Sequence, residues 1–345
     1  MKFKGWPKVR VTLDNGIITE GIAPYIISVS RSTDIPALYS KWFINRLKSG
    51  YLRWINPFNN KSSIISLERV RLIIFWSKNP LPMIGHLDEL EKRDIKYLFQ
   101  FTLNDYENDK FEPGIPSLDN RISTFKKLSS IIGKDRVLWR FDPLILTDKI
   151  SAAILLEKIK RVGDQIAPFT NRLTISFLVH YDKVKKNMNN KSIDVFDFTE
   201  ENISIIGEGL QGMSDKWGIP VYTCAEPRSL EKYGIYHGAC IDSLHICKTF
   251  SNDVQIMSFL GGLNLQTDLL NQDHIKIHDL KDPGQRKHCR CIVSKDIGRY
   301  DTCTHFCVYC YANRSERQVK SNLRSLSETN DNLISYSLHG ERCPE

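Results

Sequence analysis

Short apolar runs alternate with amphipathic helix patterns over most of this 345-residue chain. Each run is nearly continuous in apolar residues, as expected for a strand of a parallel sheet that is covered on both faces. This alternation predicts an α/β fold with a buried parallel sheet. The strand-like runs lie at 25–30, 70–76, 96–103, 136–146, 172–179 and 219–227, and the helical patterns lie at 34–50, 81–93, 119–132, 147–163 and 198–218.

Roughly six strand–helix units suit a full or partial (β/α) barrel better than a small doubly wound sheet. Before them, alternating apolar residues flank Asn15 and Gly16, which predicts a short β-hairpin with a tight primed turn. We therefore expect a hairpin cap over residues 1–24, one barrel domain over 25–330 that includes the cysteine-rich segment 289–313, and a tail over 331–345.

Polar side chains follow the predicted strands at the point where each strand ends. In a parallel sheet these ends share one edge, and ligands bind at that edge in barrels and in doubly wound folds. Any one such side chain could simply begin a loop, but six consecutive polar strand ends favour a lined pocket. The residues that this position suggests for binding a cofactor are Arg31, Asp34, Asn79, Asp105 and Glu226.

All nine cysteines lie after residue 223, and three of them occur together in DTCTHFCVYCYAN at 301–313. Three thiolates this close, from Cys303, Cys307 and Cys310, can ligate three irons of a 4Fe–4S cluster and leave the fourth iron open. The alternative is structural zinc with a fourth ligand from His305 or another cysteine. Structural zinc sites usually use two separated pairs, so the spacing favours the iron–sulfur cluster.

The spacing Cys-x3-Cys-x2-Cys resembles the signature of the radical S-adenosylmethionine (SAM) superfamily, and the sequence CTHFCVYCYA is similar to the branch that contains spore photoproduct lyase. Residues 77–80 (SKNP) and 142–145 (DPLI) also resemble elements of that branch. The resemblance implies that the open iron chelates SAM and that an external electron donor reduces the cluster. A 5′-deoxyadenosyl radical would then abstract hydrogen from a substrate. The resemblance, together with the position of these residues at strand ends, makes Lys78, Arg140 and Asp142 the preferred catalytic candidates.

The order of these elements differs from that of radical SAM enzymes, which normally carry the three cysteines after the first barrel strand. Here the cysteines come last, so we expect a circular permutation. The segment from Cys289 to Leu323 would supply the usual first strand, cluster loop and first helix. It should dock beside the strand predicted at 25–30.

Nearly the whole chain also resembles an uncharacterised bacterial and archaeal family, the domain of unknown function eighteen forty-eight. The similar elements are SRSTDIPALYSKWF, FWSKNP, FQFTLNDYE, WRFDPL, CAEP and the final cysteine series. This resemblance implies no established activity.

Four further cysteines could hold a second metal, either zinc or an auxiliary Fe–S cluster. Free thiols are the alternative, but clustered cysteines in a cytosolic chain usually ligate metal. Cys247 lies in an apolar segment and is expected to pack in the core, whereas Cys343 is expected to have no role. The four candidate ligands are Cys224, Cys240, Cys289 and Cys291.

The net charge of +8 is compatible with an anionic partner such as nucleic acid, although no basic block concentrates it. Nucleic acid, a nucleotide and a small molecule all stay open as the substrate. Arg31, Lys78 or Arg140 could bind the SAM carboxylate or a substrate phosphate. The SAM amine or ribose could instead contact one of the acidic residues Asp34, Asp105 and Glu226.

No run approaches the roughly 18 apolar residues of a membrane-spanning helix, and the N-terminus has no apolar leader segment. We therefore expect a cytoplasmic protein with no membrane partner. The main hypothesis is a radical SAM enzyme. Its rivals are a non-catalytic protein with structural zinc and an Fe–S redox protein without SAM chemistry.

Overall fold

A parallel β-sheet of eight strands forms the centre of the computed structural model, which describes residues 3–262 and 278–334. Every pairing in this sheet is parallel, which confirms the predicted α/β fold. The two edge strands do not pair with each other in the described ranges, so no closed barrel is observed there. In spatial order the strands are β13 (Ile235–Gly238), β12 (Val221–Cys224), β10 (Leu173–Phe177), β8 (Val137–Leu144), β7 (Lys96–Thr102), β6 (Leu72–Ser77), β3 (Ile26–Val29) and β14 (Lys295–Asp296).

The edge strand β14 comes from the C-terminal part of the chain but lies against β3 near the N-terminus. Lys295 pairs with Ile27 and Asp296 pairs with Ser28, in parallel. The expected contact between the strand at 25–30 and the segment before Cys303 is therefore confirmed. The cysteine loop follows β14 directly, and helix α11 (Glu316–Leu323) follows that loop.

The sheet separates two hydrophobic cores because successive side chains of a strand point to opposite faces. Phe75, Phe99 and Trp139 belong to the larger core. Leu72 and Leu98 belong to the second core, which the C-terminal cysteine-rich segment covers. The larger core takes its helical residues mainly from α2 (Ser40–Ser49), α5 (Leu118–Ile132), α6 (Ala152–Ile166) and α8 (Glu200–Trp217), and the second core takes its own from α9 (Ser243–Thr249) and α10 (Val254–Leu260).

The N-terminal hairpin pairs β1 (Lys8–Thr12) with β2 (Ile18–Ile22). The prediction of a primed turn at Asn15 and Gly16 is wrong. In this turn only Gly16 has a positive φ, at 80°. The amide of Leu13 donates to the carbonyl of Ile17 at 2.8 Å and closes a three-residue loop with a left-handed glycine. The hairpin extends into a four-stranded sheet through two strands that the sequence pattern did not predict, β5 (Ser62–Ser66) and β4 (Tyr51–Ile55).

Several predicted helices begin late or are interrupted. The helix predicted from 147 begins at Ala152, because Thr147 is used in a short strand and Ser151 provides the cap. The pattern at 34–50 forms two helices that meet at Tyr39. The remaining short elements are α1 (Ile35–Leu38), α3 (Leu81–Ile84), α4 (Leu87–Lys92), β9 (Leu146–Thr147), α7 (Asp182–Asn190) and β11 (Val195–Phe196).

The start of the predicted tail packs onto the domain. The amide of Arg53 donates to the carbonyl of Asp331 at 2.7 Å, and Leu333 is buried. The rest of the tail, with Cys343, and residues 263–277 lie outside the described residues. Within the described ranges, no helix has both the length and the apolar character needed to cross a membrane.

Candidate functional site

The three cysteines of the C-terminal motif lie on one loop beyond β14, at the carboxyl edge of the sheet. Cys303, Cys307 and Cys310 are partly exposed and free. Burial raises the pKa of the Cys303 thiol to about 12, although backbone amides hydrogen-bond to its sulfur. Two further amides point at the sulfur of Cys310. Amide donors of this kind stabilise thiolates.

The cysteine loop is held against two other segments of the chain. The hydroxyls of Thr33 and Thr302 are 2.6 Å apart, which joins the loop to the residues after β3. On the other side, the amide of Gly114 donates to the carbonyl of His305 at 3.0 Å. A Cβ on Gly114 would meet the carbonyl oxygen of Thr304 at 2.2 Å, so only glycine permits this approach.

Asp34 is a buried connector between the cysteine loop and the end of β6. Its carboxylate accepts from His305 Nε2 at 2.8 Å, from Ser77 Oγ at 2.7 Å and from the Lys78 amide at 2.7 Å. Burial alone raises the pKa of Asp34, but these hydrogen bonds and the charge of His305 hold it below its ordinary value. Its acceptor capacity is already used, so Asp34 positions the loop and is not free to bind the SAM amine.

Lys78 is part of a buried polar cluster beside Cys307. Its Nζ lies 2.7 Å from Glu112 Oε1 and 2.9 Å from Tyr309 Oη, and Tyr309 also donates to Glu112. Asn104 donates to the same carboxylate oxygen at 3.0 Å. Burial lowers the pKa of Lys78, but the charges of Glu112 and Cys307 outweigh it and raise that pKa. A charged lysine is thereby kept next to the cysteine motif.

Buried Arg140 and partly exposed Asp142 form a second pair on β8. The carboxylate of Asp142 accepts from Arg140 and from Ser176. Arg140 Nη1 also lies 2.6 Å from Cys240 Sγ, and the Asp142 amide donates to Asn104 Oδ1 at 2.8 Å. Asn104 therefore links the Lys78 cluster to this pair, and the three preferred catalytic candidates share one network.

Trp76 separates two of the predicted cations. The guanidinium of Arg31 lies 5.1 Å from its ring centroid and that of Arg140 lies 5.2 Å from it. Such cation–π contacts hold guanidinium groups in place. Arg31 Nη2 is buried and has no hydrogen-bond partner among the described residues. Of the predicted cofactor-binding residues, Arg31 therefore retains a donor for an anion.

The side chains of three of the predicted residues make no described hydrogen bond to the Lys78 cluster or to the Arg140–Asp142 pair. Asp105 pairs with Arg161 on the helix-covered face. Both carboxylate oxygens of Glu226 are taken by Arg228, at 2.5 and 3.2 Å. The backbone amide of Asn79 donates to Ser77 Oγ at 3.0 Å.

The second cysteine group converges in space. Cys240 Sγ lies 3.1 Å from Cys224 Sγ, Cys240 also interacts with Cys291, and Cys291 interacts with Cys289. Cys247 is buried in the second core, as expected. In the part of the chain that the structure describes, no group of three or more His, Cys, Asp or Glu side chains could hold a metal ion as it stands. A metal at either cysteine group therefore requires side-chain rotation.

Sequence patterns missed several members of this site. Glu112 lies in the loop before α5, where no strand or helix period marks it. Ser176 and Trp76 are inward-facing strand residues whose partners only the sheet register reveals. The run FEPG at 111–114 is the one local signal that could have indicated Glu112, because a charge between Phe111 and Pro113 has little reason to be buried unless it is paired.

The fold and the site define an α/β protein with a cysteine-rich carboxyl edge on its parallel sheet. The chain belongs to the family described as "Domain of unknown function (DUF1848)", whose profile matches residues 26–312. No curated protein matches the chain. One solved structure with some similarity is described as a candidate alpha-L-fucosidase from Bacteroides thetaiotaomicron VPI-5482. It has 11% identity and a TM-score of 0.25 over 69% of this chain and 94% of that chain, which is too low to carry an argument.

Proposed function

We propose that this protein is a radical SAM-type enzyme, or a close derivative, whose cluster ligands are Cys303, Cys307 and Cys310. The observation that supports this most is the parallel pairing of β14 with β3. It brings the cysteine loop to the sheet edge that also carries Lys78 and Asp142. Three ligands for four irons leave one iron for SAM.

We further interpret the open sheet as a partial barrel with a permuted chain order. β14, the cysteine loop and α11 together make one strand–loop–helix unit at the end of the chain. That unit lies next to β3, the first strand of the sheet in sequence. In this interpretation the last unit of the chain is the first unit of an ordinary radical SAM barrel.

A 4Fe–4S cluster with SAM bound would supply one-electron cleavage of the sulfonium, with the electron taken from an external donor, and hydrogen abstraction from a substrate. The residues of the chain would bind SAM and shield the site. Arg31 offers its unpartnered, buried Nη2 to the SAM carboxylate. Burial raises the pKa of the Cys307 thiol, and Lys78, held by Glu112 and Tyr309, places a positive charge beside it that offsets part of this rise. Arg140 and Asp142 remain candidates for substrate contact.

The test is anaerobic purification of the full chain, with iron, sulfide and zinc analysis and electron paramagnetic resonance with and without SAM. We expect a reduced 4Fe–4S signal that shifts when SAM is added. Cys307→Ala should lose this cluster and keep its fold, while Cys247→Ala, which removes a packing cysteine, should retain it. Iron without a SAM-dependent shift would favour a redox protein. Zinc in place of iron after reconstitution, in an amount that Cys307→Ala loses, would mean that the motif is structural.

A further inference from the structure

Four cysteines outside the proposed cluster site meet above the second core, although they come from three separate segments. Cys224 ends β12, Cys240 follows β13, and Cys289 and Cys291 belong to the segment after residue 278. Pairing of β12 with β13 sets Cys224 opposite Gly238 and so brings Cys240 within reach. Cys240, Cys289 and Cys291 are buried, and Cys224 is partly buried.

Hydrogen-bond donors and one cation lie against these sulfurs. Backbone amides point at two of them, from Ile241 to Cys291 Sγ at 3.4 Å and from Cys291 to Cys289 Sγ at 3.5 Å. The guanidinium of Arg140 lies 2.6 Å from Cys240 Sγ. Hydrogen bonds to sulfur and a neighbouring cation stabilise the deprotonated form that binds metal.

We propose that Cys224, Cys240, Cys289 and Cys291 bind one zinc ion as a closed tetrathiolate site. Zn–S bonds of about 2.3 Å set neighbouring sulfurs of a tetrahedron about 3.8 Å apart. The observed 3.1 Å between Cys224 Sγ and Cys240 Sγ is about 0.7 Å shorter than that spacing, so these two sulfurs must move slightly apart to share one ion. A disulfide would need about 2.05 Å, and a cubane would hold its ligands on separate irons, much farther apart. Small rotations of the four side chains complete the tetrahedron.

The zinc ion would attach the C-terminal segment to the face of the sheet. Main-chain hydrogen bonds also tie this segment to the rest of the domain, from His278 N to Leu260 O at 2.9 Å and from Ile292 N to Ile241 O at 3.1 Å. Cys289 and Cys291 lie a few residues before β14, which carries the other cysteine motif. The zinc site is therefore a positioning device for that motif, but it does not depend on the proposed iron chemistry.

Metal analysis of the full chain tests this proposal. We expect about one zinc per chain in the wild type and in Cys307→Ala, which separates this site from the iron cluster. Cys291→Ala and Cys240→Ala should each lose most of the zinc, while Cys247→Ala should retain it. Zinc that persists in both ligand variants, or iron in place of zinc at these cysteines, would overturn the proposal.

A second measurement covers the case in which the ligand variants do not fold. Replacement of zinc by Co²⁺ in the wild type should give the ligand-field and charge-transfer bands of a tetrahedral cobalt tetrathiolate. Alkylation and mass mapping of the same sample should show all four thiols protected from reagent only while metal is bound. A Cys224–Cys240 disulfide, or bands of a site with fewer sulfurs, would contradict the assignment.

Discussion

Arg140 contacts Cys240 with one guanidinium nitrogen, Nη1 to Sγ at 2.6 Å, while its other terminal nitrogen is paired with Asp142. A single buried side chain thus joins the four-cysteine group to the strand end that carries the candidate catalytic carboxylate. Asn104 continues the connection from Asp142 to the Lys78 cluster. We therefore expect a substitution at either cysteine group to disturb side-chain positions along the whole sheet edge.

Arg140→Gln should destabilise the fold. Only 5% of the Arg140 side chain is exposed, so its removal leaves Asp142 without its buried counter-charge. Loss of one partner of a fully buried pair costs about 3–5 kcal/mol in the free energy of unfolding. Because 26% of the Asp142 side chain is exposed, we expect a smaller loss of about 1–3 kcal/mol. Urea denaturation of the full chain measures this loss.

Two comparisons make the Arg140 result specific. Removing both charges, in Arg140→Met with Asp142→Leu, should cost less than the sum of the single changes. Lys92→Gln, which breaks the exposed pair with Asp88, should change stability little. Strict additivity of the Arg140 and Asp142 changes would show that the two side chains do not interact.

Glu112→Gln should flatten the acid dependence of stability. Burial raises the pKa of Glu112, but the charges of Lys78 and Arg121 outweigh it and hold the pKa below its ordinary value of 4.5. A carboxyl group whose pKa is lower in the folded state than in the unfolded state stabilises the folded protein. This contribution is complete at pH values above the unfolded-state pKa, and it is lost as the pH falls through the folded-state pKa. Urea midpoints measured from neutral pH into this acid range should fall more steeply for the wild type than for Glu112→Gln.

The matched control for Glu112 is Glu316→Gln, which removes an exposed carboxylate on α11. Its acid profile should run parallel to that of the wild type. If the profile of Glu112→Gln is also parallel, then Glu112 is not held as a buried anion by Lys78.

The strands of the main sheet could be predicted because burial on both faces makes them nearly continuous apolar runs. β4 and β5 could not, because YLRWI and SSIIS mix polar and apolar residues and are separated by a polar turn. Their pairing depends on tertiary packing, which a local pattern does not record. The sequence predicted the cysteine groups by spacing and residue type, but the convergence of Cys224 with Cys240 depends on β12–β13 register.

Side-chain partners were less predictable than positions. Lys78 and Asp142 could be selected because they follow strands, whereas Glu112 comes from an aperiodic loop. Asp34, Asp105 and Glu226 also matched the strand-end rule, yet each is occupied by a cation or donor of its own. Strand-end position indicates the edge at which a residue lies, and only the packing of neighbouring elements decides whether its charge is free.

Gly114→Ala should disturb the cysteine loop without removing a ligand. The added Cβ would lie 2.2 Å from the Thr304 carbonyl oxygen and 2.8 Å from His305 Cα, both backbone atoms that cannot rotate away. We expect a loss of about 1–3 kcal/mol in the free energy of unfolding and reduced iron after reconstitution. Gly85→Ala is the control, because a Cβ there meets nothing within 4 Å. Equal iron content in both variants would show that this approach does not shape the loop.

Arg31→Gln should weaken SAM binding while leaving the cluster in place. Of the candidate cofactor-binding residues, Arg31 has a buried donor, Nη2, without a hydrogen-bond partner among the described residues. Its guanidinium lies 5.1 Å from the ring centroid of Trp76, which holds it in place. A charge-assisted hydrogen bond contributes about 1.5–3 kcal/mol, so the Kd for SAM should rise about 10- to 100-fold. The readouts are a SAM titration followed by electron paramagnetic resonance and an iron determination on the same sample. Arg53→Gln, which breaks the pair with Asp331, is the control and should leave the Kd unchanged. Unaltered SAM affinity in Arg31→Gln with full iron content would remove Arg31 from the proposed SAM site and direct attention to the anion that its buried nitrogen otherwise binds.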